Sequence, residues 1–193
     1  MSSRTTRLLA SSWVAAALFA TGAAHANLVT NSGFETGDFS GWSYTTDPFY
    51  DGVDTIAPQD GKYAAYFGGA GSSITQTIAT VAGSTYKISF WLQSEADPNG
   101  VAGDNSFSLD FGSPTGLALS NSGAFGYTYY EILFDASGAS TDLTFHFSQG
   151  PAFWDLDSIS VTLPEPGSIA LLAAAGLGGV TASRRRKQAD TSA

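Results

Sequence analysis

Few residues between Asn27 and Leu163 are of types that could do chemistry. His146 alternates with Phe145 and Phe147, which places it on the polar face of a predicted strand. A hydrolytic triad would need it, yet no Gly-x-Ser-x-Gly elbow accompanies it, and it reads as a surface residue. The pairs Asp155/Asp157 and Asp51/Asp54 are what chance supplies in so acidic a stretch, so they do not indicate glycosidase chemistry. The chain has no cysteine, which excludes thiol catalysis and thiolate metal sites. It also lacks a phosphate loop, an HExxH pair and a basic nucleic-acid patch. One aromatic residue has another use. Sugar C–H faces stack on flat rings while neighbouring amides and carboxylates bond the hydroxyls. Trp91 stands among Lys87, Ser89 and Gln93 on the polar face of the most regular alternating run. It must face outward if Tyr86, Ile88, Phe90 and Leu92 face a core. Trp91 and Gln93 are therefore candidate glycan contacts, with Tyr44, Tyr50 and Tyr129 as weaker aromatic candidates. The competing reading covers Trp91 with a loop or seats it in a second small cluster. Trp42 and Trp154 are assigned to the core.

The elements that would position these residues are short and alternating. Runs with period two are Lys62–Phe67, Ser73–Thr80, Ser84–Glu95, Ser106–Phe111, Tyr129–Asp135, Asp142–Ser148 and Phe153–Thr162, parted by Gly, Asn, Asp, Ser and Pro. In the last run Trp154 and Leu156 are in phase, then Ile159 and Val161. The slip at Asp157-Ser158 predicts a β-bulge. No convincing amphipathic helix appears between Asn27 and Thr162. Together these features predict an all-β fold, an antiparallel β-sandwich of jelly-roll type. Asp97 to Asn105 is the clearest loop, and Asp47 to Asp60 the next.

The same stretch holds two lysines, Lys62 and Lys87, against fifteen of the chain's 17 carboxylates, the others being Glu165 and Asp190. Such a surface repels nucleic acid and anionic polysaccharide unless cations bridge it. It suits neutral glycans or divalent cations.

Both ends of the chain carry addresses. Residues 1–26 have a basic start at Arg4 and Arg7, an apolar run from Leu8 to Ala20, and Ala24-His25-Ala26. They predict a signal peptide removed after Ala26, with signal peptidase and the general secretion machinery as partners. Residues 27–163 form the folded domain. Pro164-Glu165-Pro166 follows, extended and short of two N–H donors. The uncharged run Gly167–Ser183 is at the low end of what spans a bilayer core of about 30 Å. The basic cluster Arg184, Arg185, Arg186 and Lys187 would stay cytoplasmic, ahead of a tail at 188–193.

Pro164-Glu165-Pro166, a Gly/Ala/Leu helix and an Arg-rich terminus, in that order, resemble the PEP-CTERM sorting signal of exopolysaccharide-producing Gram-negative bacteria. That resemblance implies recognition by an exosortase in the inner membrane, with Glu165 between its prolines as the recognition feature. It also implies a transient stay in the inner membrane before passage to the cell surface or extracellular matrix. An uncut C-terminal anchor is the alternative.

A second resemblance lies at the domain's ends. Asn27-Leu-Val-Thr-Asn-Ser-Gly-Phe-Glu35 with Gly41-Trp42, and the closing Asp157-Ser-Ile-Ser-Val-Thr162, are similar to galactose-binding-like jelly rolls, which include carbohydrate-binding modules. Ser158 stands where a second Asp is common in those modules. The resemblance implies a structural Ca²⁺ on Glu35 and Asp157, completed by carbonyls from Asn27 and from the turn around Gly61-Lys62 toward the roughly six to eight oxygens this ion prefers. Its functional expectation is a non-enzymatic, exported protein binding exopolysaccharide or other glycans. A structural or adhesive matrix protein is the alternative, and a glycan-active hydrolase a remote one.

Overall fold

The computed structural model describes residues 26–96, 105–112, 115–150 and 152–164. The signal peptide, Glu165, Pro166, the apolar run and Arg184–Arg186 lie outside the described residues, as does most of the Asp97–Asn105 loop.

Among the described residues, ten strands make two antiparallel sheets. The first sheet runs β1 (Ser43–Thr45), β4 (Ala70–Ala79), β9 (Ser140–Ser148), β6 (Ser106–Phe111), β7 (Thr115–Ser120). The second runs β2 (Asp51–Asp54), β3 (Ala64–Phe67), β10 (Trp154–Thr162), β5 (Thr85–Ser94), β8 (Phe125–Asp135). Among the described residues there is no helix.

The alternation along the strands decides what is buried. On β5, Tyr86, Ile88, Phe90 and Leu92 are buried. On β9, Leu143, Phe145 and Phe147 are buried, and on β6 Phe107, Leu109 and Phe111. These rows meet between the sheets as a mainly aromatic core. The rings of Phe67 and Phe147 stack at 3.8 Å, and Phe107 touches Phe90, Phe145, Phe147 and Trp154. Trp42 and Trp154 are both buried, as expected. Each buried ring removes a large apolar area from water, and aromatic pairs add about 0.5–1.5 kcal/mol each beyond that area.

The slip expected at Asp157-Ser158 is present. The β10–β5 register shifts between Asp157 and Ser160, and Ser158 takes φ 52°. Past the bulge the amino-terminal segment lies along β10. Ile159 N–H donates to Ser32 O, and Leu28 N–H to Val161 O. Asn27 closes the join with its side chain, donating to Ile159 O and accepting from Val161 N–H.

The structure departs from the sequence reading in three places. The expected loop Asp47–Asp60 contains β2. It was hidden because its inward residues are Asp51 and Val53, and a buried Asp reads as a turn residue. Asp51 is stabilised there by the N–H groups of Asp47, Gly68 and Gly69 and by the hydroxyl of Ser72. Strand β1 is exposed throughout and has no apolar alternation to detect. Strand β7 contains Gly116, where the ring of Phe134 from β8 occupies the space a Cβ would need. That glycine lets the edges of the two sheets close on each other, and it breaks the strand pattern in the sequence.

Candidate functional site

The outer face of the second sheet brings together three of the predicted site residues, Trp91, Gln93 and Tyr129. Strand pairing sets them in rows. Gly52, Tyr66, Asp155 and Gln93 follow one another across β2, β3, β10 and β5. In the next row Asp157 and Trp91 lead to Tyr129 on β8, while Asp54 pairs with Ala64 across β2 and β3. Trp91 is half-buried, and its ring lies 5.4 Å from that of the exposed Tyr129. A second aromatic pair, Tyr66 and Phe153, lies 5.7 Å apart edge to face. Lys87 and Glu131 pair at 3.4 Å farther along the face.

The polar centre of the face is Asp155, which is 4% exposed. Gln93 Nε2 donates to its Oδ2 at 2.9 Å. Burial, then the charge of Glu95, then that of Asp54, push the Asp155 carboxyl up to about 7, against the opposing effect of Gln93. Glu95 is itself raised, by burial and by Asp54. Tyr127 is held protonated by burial and by the surrounding carboxylates, Asp155 and Asp157 foremost. Its hydroxyl donates to Ala57 O at 2.7 Å, so the β2–β3 loop reaches across to β8. Gln93, Glu95, Ala124, Phe125 and Gly126 line an open recess of about 460 Å³ at one end of the face.

Asp157 has another setting. It is fully buried under the β2–β3 loop, where its Oδ2 accepts from Gln59 N–H at 2.9 Å and Asp60 N–H at 3.1 Å, and its Oδ1 from Ser158 N–H at 2.6 Å. Burial raises its pKa, while these donors pull it down. Glu35 accepts from Lys62 N–H on both oxygens and from Tyr63 N–H on Oε1. Both carboxylates border a cavity of about 360 Å³ with Asn27, Gly33, Asp60 and Gly61. A carboxylate has about four acceptor positions. Three are used on each, which leaves each carboxylate one for a cation. Among the described residues no group of three or more acidic, His or Cys side chains could hold a metal ion, so the remaining ligands would be carbonyl, hydroxyl or water oxygens.

Tyr44 does not join this face. It sits on β1 of the first sheet against Phe39, 5.2 Å between rings. Tyr50 is exposed in the loop before β2. His146 is on the outer face of the first sheet, its Nε2 3.1 Å from Asp110 Oδ2. Sequence reasoning overlooked Asp155, Glu95, Asp54, Tyr66 and Tyr127 as one cluster. Their common signal is the outward phase of each strand, but the lateral order of the strands is needed to bring them together.

The described domain is an antiparallel two-sheet β-sandwich whose second sheet has an aromatic and acid-amide outer face. The chain belongs to the CBM_4_9 carbohydrate binding domain family, which it matches over residues 26–164. Comparison with curated sequences gives no match. Among solved structures, the chain is similar to TmCBM61 in complex with β-1,4-galactotriose, at 19% identity and TM-score 0.59, over 72% of this chain and 99% of that one. It is similar to a Family 16 carbohydrate binding module (20% identity, TM-score 0.53, 70% and 99% coverage). It is also similar to the CBM22-1 xylan-binding domain of Paenibacillus barcinonensis Xyn10C (15% identity, TM-score 0.52, 72% and 96% coverage). At these identities the likeness concerns the fold.

Proposed function

We propose that this protein is a non-enzymatic glycan-binding module that holds a polysaccharide on the outer face of its second sheet. The carrying observation is the half-buried Trp91 beside Tyr129, one row from the Gln93–Asp155 pair. The rings offer a platform for sugar C–H faces, and the amide and carboxyl offer hydroxyl partners. A glycan array with the full chain tests it. Binding to at least one polysaccharide is expected, and no binding to any leaves the adhesive matrix role in its place. His146 and its partner Asp110 lie on the opposite sheet from the aromatic face, so they are not part of the proposed glycan platform.

In the same reading the protein is exported and sorted. The order Pro164-Glu165-Pro166, apolar run and Arg184-Arg185-Arg186 supports exosortase recognition at the inner membrane and delivery to the surface or matrix. The Glu165→Ala variant is expected to accumulate as an uncut, membrane-held precursor on immunoblots of fractionated cells. Release at the parent level would contradict recognition at this motif.

Ca²⁺ completes the reading as a structural ion. Glu35 and Asp157 would hold it, together with carbonyls near Asn27 and Gly61, tying the amino-terminal segment to the bulge in β10. A ligand present at about a hundred times its Kd stabilises by roughly 2.7 kcal/mol. EDTA is therefore expected to lower the melting temperature by several degrees in the parent and not in Glu35→Gln. Coincident melting curves for the parent with and without EDTA would remove the ion from the account.

A further inference from the structure

Among the described residues four strands end a sheet, and three of them are poor templates for another strand. β1 has three residues and β2 four. β7 has six, but Gly116 sits inside it and its pairing with β6 shifts between Leu109 and Asp110. β8 differs. It runs for eleven residues and is paired along one side only, to β5. The register slips near its start, between Leu92 and Ser94 of β5, and is then continuous from Thr128 to Asp135. The free side of an edge strand presents a row of main-chain N–H and C=O groups. Proteins ordinarily block such a row with proline, lysine, inward-pointing charges or a covering segment. β8 contains no proline, lysine or arginine. Its inward residues Tyr130, Ile132 and Phe134 pack against the core. Its outward residues Tyr129 and Leu133 are exposed, Leu133 at 62%. Glu131 between them is already partnered by Lys87.

We infer that the free side of β8 pairs with β8 of a second copy, antiparallel about a two-fold axis, so that the second sheets of two protomers run on as one. The strand is complementary to itself. Opposite residues of an antiparallel pair point to the same face, so the two-fold axis passes through a residue. Centred on Glu131, the two copies of that carboxylate would oppose each other, which is destabilising. Centred on Tyr130, the slipped start of each strand would oppose the end of the other. Centred on Ile132, the stretch from Tyr129 to Asp135 is used in full. Tyr129 then opposes Asp135 of the other copy, Tyr130 opposes Phe134 and Glu131 opposes Leu133, so no two carboxylates face each other. Aromatic pairs across strands add to such a contact. The axis stands perpendicular to the sheet, which keeps both outer faces on one side. Three strand spacings, about 14 Å, part the two β5 strands that carry Trp91. The pairing stands without the glycan-binding reading. With it, a polysaccharide held by one protomer meets the second platform at high effective concentration.

Sedimentation velocity of the full chain, with amide hydrogen exchange read at low and high protein concentration, tests the inference. An edge contact is at the small end of protein interfaces, so a dimer with a Kd of roughly 10 µM is expected. It should tighten as salt rises, because both copies carry an excess of carboxylates. Free-side amides between Tyr129 and Asp135 should exchange about tenfold more slowly in the concentrated sample than in the dilute one. Leu133→Asp sets a carboxylate opposite Glu131 of the other copy and should weaken the dimer by about tenfold or more, with the dilute melting temperature unchanged. Val81→Asp, at an exposed position outside the strands, should associate like the parent. Association undiminished in Leu133→Asp places the contact on another surface and overturns the inference. So do β8 amides whose exchange ignores concentration, a readout that needs no variant. A monomer at every concentration also overturns it and leaves this edge to a strand of a different protein.

Discussion

Asp155→Asn is expected to raise the melting temperature at neutral pH and to flatten its pH dependence. The folded carboxyl titrates at about 7, against 3.8 for the ordinary side chain. Between these values the folded chain holds a proton that the unfolded chain has released. Stability is therefore greatest below the unfolded value and falls as pH rises through the folded one. About three pH units correspond to roughly 4 kcal/mol as an upper value. Glu95 and Asp157, both raised, act in the same direction. For a domain of this size each kcal/mol moves the melting temperature by roughly 2–8 °C. Asparagine keeps an oxygen for the Gln93 N–H and carries no charge. Thermal melts from acid to neutral pH should show the parent declining steeply and the variant declining less, through Glu95 and Asp157 alone. Parallel profiles would mean that Asp155 does not carry the strain described.

Trp91→Ala is expected to weaken glycan binding by roughly thirtyfold, about 2 kcal/mol, the scale of a tryptophan anchor in an interface. The fold should tolerate it, because the indole is only half-buried and its aromatic neighbour Tyr129 is exposed. Trp91→Phe retains a ring over Tyr129 and should lose less. A stability control separates the two effects. If the alanine variant melts with the parent yet binds as well, the platform lies elsewhere.

The fold was readable where one face of a strand is continuously apolar. β5 announces itself through Tyr86, Ile88, Phe90 and Leu92, and that same phase places Trp91 and Gln93 outward. The bulge was readable because apolar residues change phase between Leu156 and Ile159. What stayed hidden depends on lateral order. Gln93 and Asp155 are 62 positions apart, and only the pairing of β10 with β5 joins them. Tyr44 looked equivalent to the other surface aromatics until its strand fell in the other sheet. β2 was missed because the residue that fills its inward position, Asp51, depends on a cage of loop N–H groups that no local pattern reveals.

The location of the ligand is the matter on which the functional account stands. An NMR map of backbone amides, indoles and side-chain amides, recorded while the full chain is titrated with a glycan that binds on the array, reads it directly. The largest shifts are expected at the Trp91 indole, the Gln93 side-chain amide and Tyr129 on the second sheet, and at Glu95 just beyond β5. Shifts concentrated around His146 and Thr75 on the first sheet, with Trp91 unmoved, would contradict it.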